Sequence, residues 1–469
     1  MFPENKMTSG FFHSRSERNA YVFMAILFVL LLMPPMRRLF TDIGLRWLYI
    51  FAVAMALSYT LTPMVRWFAN RAGIVDTPDA RKIHDHATPL LGGAAVFIAF
   101  AVSIIANDIY SDKLEVILTA SLALFVAGVL DDSREIPAWI KLVVQICCSV
   151  WVIGNGIVLS VLPTDLGMLS EAANMVLTLL WIVGITNAMN FFDGMDGLAS
   201  GLGTLIAFFL GVVAFQTHQP FLGWVAVAVM GSCLGFMPYN LRVNGKATIF
   251  LGDGGSTVIG FILACVAVYG DWAEHNPIGA LVSPLLILWI LTFDMVHITL
   301  DRIITGKVRT FREWIDYVGQ DHLHHRLSHA LGGPKRSVMF IFFLSFCLGT
   351  SAVVLRDARP IDAMLLLLQA TILVVLITIL ERRGRAISAA AVQDRMEDTS
   401  INERIPELGV PSGVDTQPDK KITPPDAAPY GGGFSKRSGG DPMAGLRIPN
   451  HGRRGRNRTI YQQFNPNIL

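Results

Sequence analysis

Five aspartates stand beside apolar stretches of this chain, where charged side chains are costly and are therefore functional candidates. Asp131 and Asp132 end one apolar stretch and Asp253 precedes another. Asp193 and Asp196 follow a third. Carboxylates gathered at one membrane face would repel one another, and a divalent cation would relieve that repulsion. Oxygen ligands without cysteine favour Mg²⁺ or Mn²⁺ over zinc, and Mg²⁺ is often shared with phosphates, so the pattern predicts a phosphorylated substrate.

The central motif places an amide or a carboxylate at every third position, at Asn187, Asn190, Asp193 and Asp196. A continuous helix would carry all four on one face. Each aspartate is followed by glycine, however, which favours a helix end or a broken turn. Such a turn would direct carboxylates and backbone N–H groups into a polar pocket at the membrane surface. The alternative is a solvated helix end, which explains neither the asparagines nor the apolar stretch before them.

Two further motifs carry groups suited to phosphate. The glycine-rich run at 252–256 resembles a phosphate loop but lacks the lysine of a Walker motif, and a simple turn is the alternative. A second run, without cysteine partners, contains His322, His324, His325 and Arg326. Cationic histidine and arginine suit phosphate better than a metal cage, and an ordinary surface loop is the alternative.

Two other sets of polar residues are weaker indications of a functional site. Arg81 and Lys82 are cations that would attract an anionic substrate, although a positively charged loop without a site explains them too. Asp294 and His297 lie one helical turn apart near the end of an apolar stretch. They form either a buried pair or a helix-packing contact.

The composition excludes a soluble globular protein. Hydrophobic residues make up 52% of the 469 residues and charged residues 16%, against about 25% charged in an ordinary soluble domain. The same high hydrophobic content excludes a disordered chain. A disulfide scaffold is excluded too, since all five cysteines lie in apolar stretches without a CxxC pair. The net charge of +2 is too small to indicate nucleic-acid binding.

The apolar stretches predict an all-α, polytopic membrane protein with about 11–12 transmembrane helices. A bilayer-spanning helix needs about 20 apolar residues. The stretches are continuously apolar rather than alternating, which excludes a barrel. The candidate spans are 21–40, 46–68, 90–108, 115–131, 138–158, 174–190, 197–217, 221–239, 255–270, 278–299, 337–355 and 361–380.

Lysine and arginine are concentrated in the loops that carry the aspartate motifs, so the positive-inside rule predicts a cytoplasmic site. Three arginines violate the rule if the first span is real, namely Arg37, Arg38 and Arg46. Whether 21–40 crosses the membrane is therefore left open. The predicted organisation is an N-terminal extension with an anchor helix at 1–45, a transmembrane core at 46–383, and a disordered, cytoplasmic, basic tail at 384–469.

The motifs together resemble the polyprenyl-phosphate N-acetylhexosamine-1-phosphate transferases of glycosyltransferase family 4. The resemblance lies in the order and spacing of four motifs and covers roughly 46–380. Within that superfamily, the run from Asn240 to Lys246 is similar to the bacterial GlcNAc-1-phosphate transferase branch. The peptidoglycan branch carries three consecutive histidines, which Leu323 interrupts here.

The resemblance implies transfer of N-acetylhexosamine-1-phosphate, most simply GlcNAc-1-phosphate, from a UDP-sugar to undecaprenyl phosphate, with release of UMP. It implies Asp253 as a ligand of Mg²⁺, or of Mn²⁺ as a substitute. Asp131 or Asp132 would orient the lipid phosphate or accept its proton. Positioning is the role we expect of them, because the second phosphate pKa is near 6 and little base catalysis is needed.

The remaining site residues follow from the same comparison. Asp193 and Asp196 complete the predicted catalytic set and shape the metal site, and Phe250 would stack on uracil. The predicted substrate-binding residues are Asn187, Asn190, Asn240, Phe250, His322, His324, His325, Arg326, Arg81 and Lys82.

The expected setting is a multi-pass protein of the bacterial inner membrane that starts a cell-surface polysaccharide. Its partners would be the two substrates and the lipid bilayer, without nucleic acid, and a homodimer is left open. The alternative function is a transporter or flippase of lipid-linked or anionic solutes. A transporter should place charges near the bilayer midplane and often contains repeated halves, whereas here the charges gather at one face.

Overall fold

The computed structural model describes residues 15–77, 87–162, 167–242, 245–272, 277–317, 319, 321–355 and 359–379. The predicted roles of Arg81 and Lys82, and the predicted disordered tail, concern residues outside these ranges. Within the ranges the regular secondary structure is helical, apart from a short antiparallel ribbon that pairs β1 (Val75–Asp76) with β2 (Thr88–Pro89).

Sixteen α-helices are formed by the described residues. The first eight are α1 (Arg15–Leu31), α2 (Pro34–Asp42), α3 (Arg46–Ala72), α4 (Gly92–Ala106), α5 (Asp112–Ser133), α6 (Ala138–Gly154), α7 (Met168–Phe191) and α8 (Leu198–Gln216). The others are α9 (Pro220–Asn240), α10 (Asp253–Tyr269), α11 (Pro277–Ile287), α12 (Trp289–Ile304), α13 (Phe311–Asp316), α14 (Leu323–Leu331), α15 (Pro334–Val354) and α16 (Pro360–Ile379).

Most of these helices are suited to a bilayer. Seven are long and apolar enough to cross a membrane, and two bent pairs, α1 with α2 and α11 with α12, pass the same test together. Three shorter apolar helices are α4, α6 and α10. Each predicted span overlaps one of these helices, so the prediction of an all-α, polytopic membrane protein is confirmed.

Helix α10 lies at the centre of the bundle, and its residues from Gly254 to Val268 are all buried. Glycines let two neighbouring helices approach it closely, as small residues do between membrane helices. A Cβ atom on Gly128 of α5 would come within 2.4 Å of the Gly254 Cα, and one on Gly93 of α4 within 2.2 Å of the Gly255 Cα. These contacts bring the first turn of α10 against the last turn of α5.

The active-site candidates lie at one end of the bundle, which we call the site face. Helices α5, α7 and α9 end there, and α10 begins there. Helix α4 also begins there, because the N–H groups of Gly92 and Gly93 donate to the carbonyls of Phe250 and Leu251 at 2.9 and 2.7 Å. The carbonyl of Pro89 in β2 accepts from the Phe250 N–H, so the ribbon holds the segment before α10 in place.

The N-terminal extension connects the two faces. Glu17 near the start of α1 pairs with Arg242 at the site face, at 2.7 Å. Beyond the other end of α1, Arg37 pairs with Asp108, which follows the end of α4. The 17 residues of α1 span about 26 Å. The predicted span 21–40 is divided between α1 and α2, because Pro34 begins a separate helix that is bent by 77° relative to α1.

The same contacts account for two of the arginines that violate the positive-inside rule. Arg37 is paired with a carboxylate, as described. Arg46 donates to the carbonyl of Asn107, and its guanidinium lies 4.0 Å from the centre of the Trp224 ring. Because both charges are bound locally, they do not oppose a crossing by α1.

Candidate active site

Two of the predicted carboxylates converge on a lysine that the sequence motifs did not single out. Asp131 lies in the last turn of α5, and Asp253 is the first residue of α10. The Lys141 Nζ, from the first turn of α6, donates to Asp131 at 2.8 Å and to Asp253 at 2.9 Å. The Asp131 side chain also accepts from the Ile136 N–H at 2.8 Å, which fixes the α5–α6 turn.

Asp132 caps the N-terminus of α10. Its two oxygens accept from the N–H groups of Asp253 at 2.9 Å and Gly254 at 3.4 Å. Gly252 is necessary here, because its φ is +78° and a Cβ atom would lie 2.6 Å from an Asp132 oxygen. Gly252 therefore allows Asp132 to approach the backbone at the start of α10. The N–H groups of Asp253 and Gly254, which a phosphate loop would offer to a phosphate, are bound here to the Asp132 carboxylate.

The central motif forms the broken turn that its glycines predicted. Helix α7 ends at Phe191, a single 3₁₀ turn covers Phe192–Gly194, and Gly197 takes the left-handed conformation before α8. Asp193 accepts a hydrogen bond from the backbone of Gly252, so it faces the start of α10. Asp196 instead accepts from the Ala247 N–H at 2.8 Å and holds the α9–α10 loop.

The asparagines of the motif point to different partners. Asn190 donates to the Ser256 hydroxyl at 3.0 Å and also reaches Asp253, so it belongs to the carboxylate cluster. Asn187 exchanges hydrogen bonds with Gln145 of α6, at 2.6 and 3.4 Å. It therefore ties α7 to α6 one turn away from the cluster.

Asn240 and Phe250 shape the loop between α9 and α10. Asn240 is 2% exposed, and its amide oxygen accepts from the Gly197 N–H and the Ser200 hydroxyl. Its amide nitrogen donates to the Ile249 carbonyl at 3.1 Å. The side chain of Asn240 thus links the start of α8 to the segment before α10. Phe250 is half-buried, and its backbone N–H is bound to Pro89 of the ribbon.

The histidine segment is held at both sides by α12. Arg302 makes two hydrogen bonds to Asp321, at 2.7 and 2.9 Å. Asp294 binds the His322 Nδ1 and the Leu323 N–H, each at 2.8 Å. Asp294 is therefore bonded to His322, and His297 stacks on Phe293 with ring centres 5.5 Å apart.

Burial makes two of the histidines neutral rather than cationic. His324 is fully buried beside Gly194, and neither ring nitrogen has a hydrogen-bond partner among the described residues. Burial and the charges of neighbouring His325, His322 and Arg326 lower the pKa of His324 well below its ordinary value. Burial also lowers the pKa of His325. The expectation of cationic phosphate ligands is thus revised for these two side chains, which offer neutral N–H groups.

The pKa of Asp321 is affected in the opposite direction. Burial alone would raise it, but the hydrogen bonds and charge of Arg302 outweigh burial and lower the pKa. The carboxylate of Asp321 therefore stays ionised and keeps the segment attached to α12.

The donor set fits Mg²⁺ shared with a substrate, not a closed protein cage. Across the described ranges, no group of three acidic, histidine or cysteine side chains is arranged to hold a metal ion. Mg²⁺ usually takes only one or two carboxylates and completes its shell with water and phosphates. Asp131 and Asp253 supply that number, since both reach the same Lys141 ammonium.

Comparison with known proteins identifies the family of the chain. The sequence profile of glycosyl transferase family 4 matches residues 114–271. A Bacillus subtilis (strain 168) protein named "Probable undecaprenyl-phosphate N-acetylglucosaminyl 1-phosphate transferase" is 30% identical over 316 residues, which are 66% of this chain and 84% of the relative. The decaprenyl-phosphate N-acetylglucosaminephosphotransferase of Mycobacterium tuberculosis (strain ATCC 25618 / H37Rv) is 31% identical over 321 residues, 62% of this chain and 78% of the relative.

A third relative comes from Escherichia coli (strain K12). Its undecaprenyl-phosphate alpha-N-acetylglucosaminyl 1-phosphate transferase is 28% identical over 303 residues, 62% of this chain and 79% of the relative.

The fold and the site define a multi-pass membrane enzyme whose carboxylates meet at one end of the bundle. The chain belongs to glycosyl transferase family 4, and it is an enzyme of the membrane phosphotransferase class that these relatives represent. The resemblance of its motifs to that superfamily is therefore confirmed, and the transporter alternative is set aside.

Proposed function

We propose that this protein transfers GlcNAc-1-phosphate from UDP-GlcNAc to undecaprenyl phosphate and releases UMP. The observation that carries the proposal is the convergence of Asp131, Asp253 and Lys141 at the end of a membrane bundle. A site in that position would receive an apolar lipid from the bilayer and a nucleotide sugar from water. The names of the relatives supply the sugar and the polyprenyl phosphate.

In the proposed reaction an oxygen of the lipid phosphate attacks the β-phosphorus of UDP-GlcNAc. A new P–O bond forms, the bond from that phosphorus to the bridging oxygen breaks, and UMP leaves with the electron pair. Phosphoryl transfer depends mainly on positioning and charge neutralisation. A lipid phosphate with a pKa near 6 is largely deprotonated at neutral pH, so no aspartate is required as a base.

Different residues of this chain would contribute the positioning and the charge neutralisation. Asp253, with Asp131, would hold Mg²⁺, which neutralises pyrophosphate charge when bound, and Mn²⁺ would be a substitute. Lys141 keeps the two carboxylates together, and Asp132 fixes the start of α10 beside them. The buried His324 would donate a neutral N–H to a phosphate or sugar oxygen.

The location and the pathway complete the proposal. We place the site face at the cytoplasm, where UDP-sugars are made and where the positive-inside rule directs the charged loops. The product would be the first lipid-linked intermediate of a bacterial cell-surface polysaccharide.

The test is UMP release by the purified protein in detergent with undecaprenyl phosphate, Mg²⁺ and a panel of UDP-sugars. We expect UMP only when lipid and metal are both present, with UDP-GlcNAc as the preferred donor. Asp253→Asn should lower kcat by at least about a hundredfold. The matched control is Asp271→Asn, which alters an exposed aspartate beyond the other end of α10. Lipid-independent UMP release, or a fully active Asp253→Asn protein, would contradict the proposal.

A further inference from the structure

Asp294 on α12 is a fully buried carboxylate that is not part of the cluster around Lys141. Its Oδ1 accepts a hydrogen bond from the Leu323 N–H, and its Oδ2 lies 2.8 Å from the Nδ1 of His322. Both oxygens are therefore bound to the residues at the start of α14. A buried carboxylate that uses both oxygens in this way holds one ring and one backbone group in a defined place.

These contacts make the two ring nitrogens of His322 chemically different. An ionised carboxylate can only accept hydrogen bonds, so the ring must donate to Asp294 through Nδ1. In a neutral imidazole the proton then lies on Nδ1, and Nε2 keeps its lone pair. Because the Nδ1 edge is turned to α12, the Nε2 edge is turned away from that helix.

The ring of His322 borders the broken turn of the central motif. Its centre lies 4.7 Å from that of the Phe191 ring and 6.0 Å from that of the His324 ring. Phe191 is the last residue of α7, and Asp193 follows two positions later. The ring that Asp294 orients is thus placed next to the turn that carries one of the predicted catalytic carboxylates.

We propose that Asp294 is a positioning residue that fixes the tautomer and the direction of the His322 ring for contact with the nucleotide sugar. The inference rests on the proposed function and on the predicted role of His322 in substrate binding. An Nε2 atom with a lone pair accepts a hydrogen bond from an N–H or O–H group. The nucleotide sugar carries such groups on its base and its sugars, whereas an ionised lipid phosphate carries none. Asp294 itself does not touch the substrate.

Asp294→Asn tests the assignment, because it changes the direction of one hydrogen bond and little else. The amide oxygen is needed by the Leu323 N–H, which can only donate, so the amide NH₂ group must face the His322 Nδ1. The ring then accepts at Nδ1 and carries its proton on Nε2. In assays of UMP release we expect the KM for UDP-GlcNAc to rise about tenfold, as for the loss of one hydrogen bond, while the KM for undecaprenyl phosphate is unchanged.

Asp301→Asn is the matched control, because it makes the same change on α12 at a carboxylate that pairs with Lys307 at 3.6 Å. It should leave both KM values unchanged. In a His322→Gln background, Asp294→Asn should cause no further loss, since the ring through which it acts is gone. Melting temperatures establish that each variant is folded. An equal rise in both KM values, or a further loss in the double variant, would show a merely structural role and overturn the proposal.

The tautomer can be read without any substrate. The full chain, labelled with ¹⁵N-histidine and held in detergent at about pH 8, is above the ordinary pKa of histidine. The signals of His322 are assigned by their loss in His322→Gln. We expect an unprotonated Nε2 in the unaltered protein and a protonated Nε2 in Asp294→Asn. A protonated Nε2 in the unaltered protein would overturn the proposal. If the unaltered protein released no UMP, the proposed function would fail, and the tautomer would still decide the role of Asp294.

Discussion

At the scale of single residues, some groups of the site can be predicted from the sequence and others cannot. The aspartates were predictable because charged side chains are rare beside apolar stretches. Lys141 was not, because a lysine at the start of a span is what the positive-inside rule leads one to expect. Its contact with Asp253 joins positions 112 residues apart, and only the packing of α6 against the bundle creates it.

Replacing Lys141 by methionine removes the positive charge but keeps a long side chain, so it tests the role of the charge. Lys141→Met should lower kcat by at least about tenfold, because Asp131 and Asp253 would repel each other without the ammonium between them. Raised Mg²⁺ should restore part of the activity, since a divalent cation can take over the neutralisation. UMP release at a series of Mg²⁺ concentrations measures both effects. Lys141→Arg keeps the charge and should retain more activity, and a fully active Lys141→Met protein would refute this role.

The buried His324 predicts a dependence of stability on pH. An unfolded histidine binds its proton near pH 6.5, whereas burial lowers the pKa of His324 well below that value in the folded protein. Between the two pKa values the unfolded chain holds more protons, so the free energy of unfolding falls as the pH falls below about 6.5. Melting temperatures from pH 7 to pH 5 should therefore decline.

The contribution of this histidine can be separated from that of other groups. His324→Gln should flatten the decline in melting temperature below pH 6.5. His329→Gln, which changes an exposed histidine of the same helix, should leave the decline as it is. Identical pH profiles for His324→Gln and the unaltered protein would show that another group is responsible.

At the scale of helices, the positions of the spans follow from the sequence, but their close approaches do not. Length and continuous hydrophobicity suffice to predict a membrane helix. The glycine of the Asp-Gly pairs suffices to predict the break after α7. Gly128, by contrast, lies within a span where it shows no local signal. Its role becomes visible only where α5 crosses the first turn of α10.

Gly128→Ala tests that crossing. The new Cβ atom would stand 2.4 Å from the Gly254 backbone, so the two helices must separate at the point where Asp132 caps α10. We expect a loss of about 1–3 kcal/mol in stability, together with loss of activity. Gly154→Ala on α6 is the control, because among the described residues nothing beyond its chain neighbours and its own helix backbone lies within 4 Å of the added carbon. Thermal unfolding and UMP release are measured on both, and equal effects would refute the packing argument.

At the scale of the whole molecule, the open question is on which side of the bilayer helix α1 starts. The positive-inside rule left this open, because it counts charges and does not see that Arg37 and Arg46 are bound by groups near the end of α4. The contacts at the two ends of α1 favour a crossing, since Glu17 is paired at the site face and Arg37, beyond the other end of α1, is paired with Asp108. We therefore expect the start of α1 and the active site to share one side of the membrane.

Cysteine labelling in intact cells tests this topology. The five native cysteines are first replaced, and a membrane-impermeant maleimide is applied to single-cysteine variants. Asp42→Cys, at the exposed end of α2, should react in intact cells, because α1 carries the chain across to the face opposite the site. Ser16→Cys, at the start of α1, should react only after permeabilisation, as should Arg309→Cys in the loop after α12. Labelling of Ser16→Cys in intact cells would place the first helix turn outside and exclude the crossing, because Glu17 could then not reach Arg242.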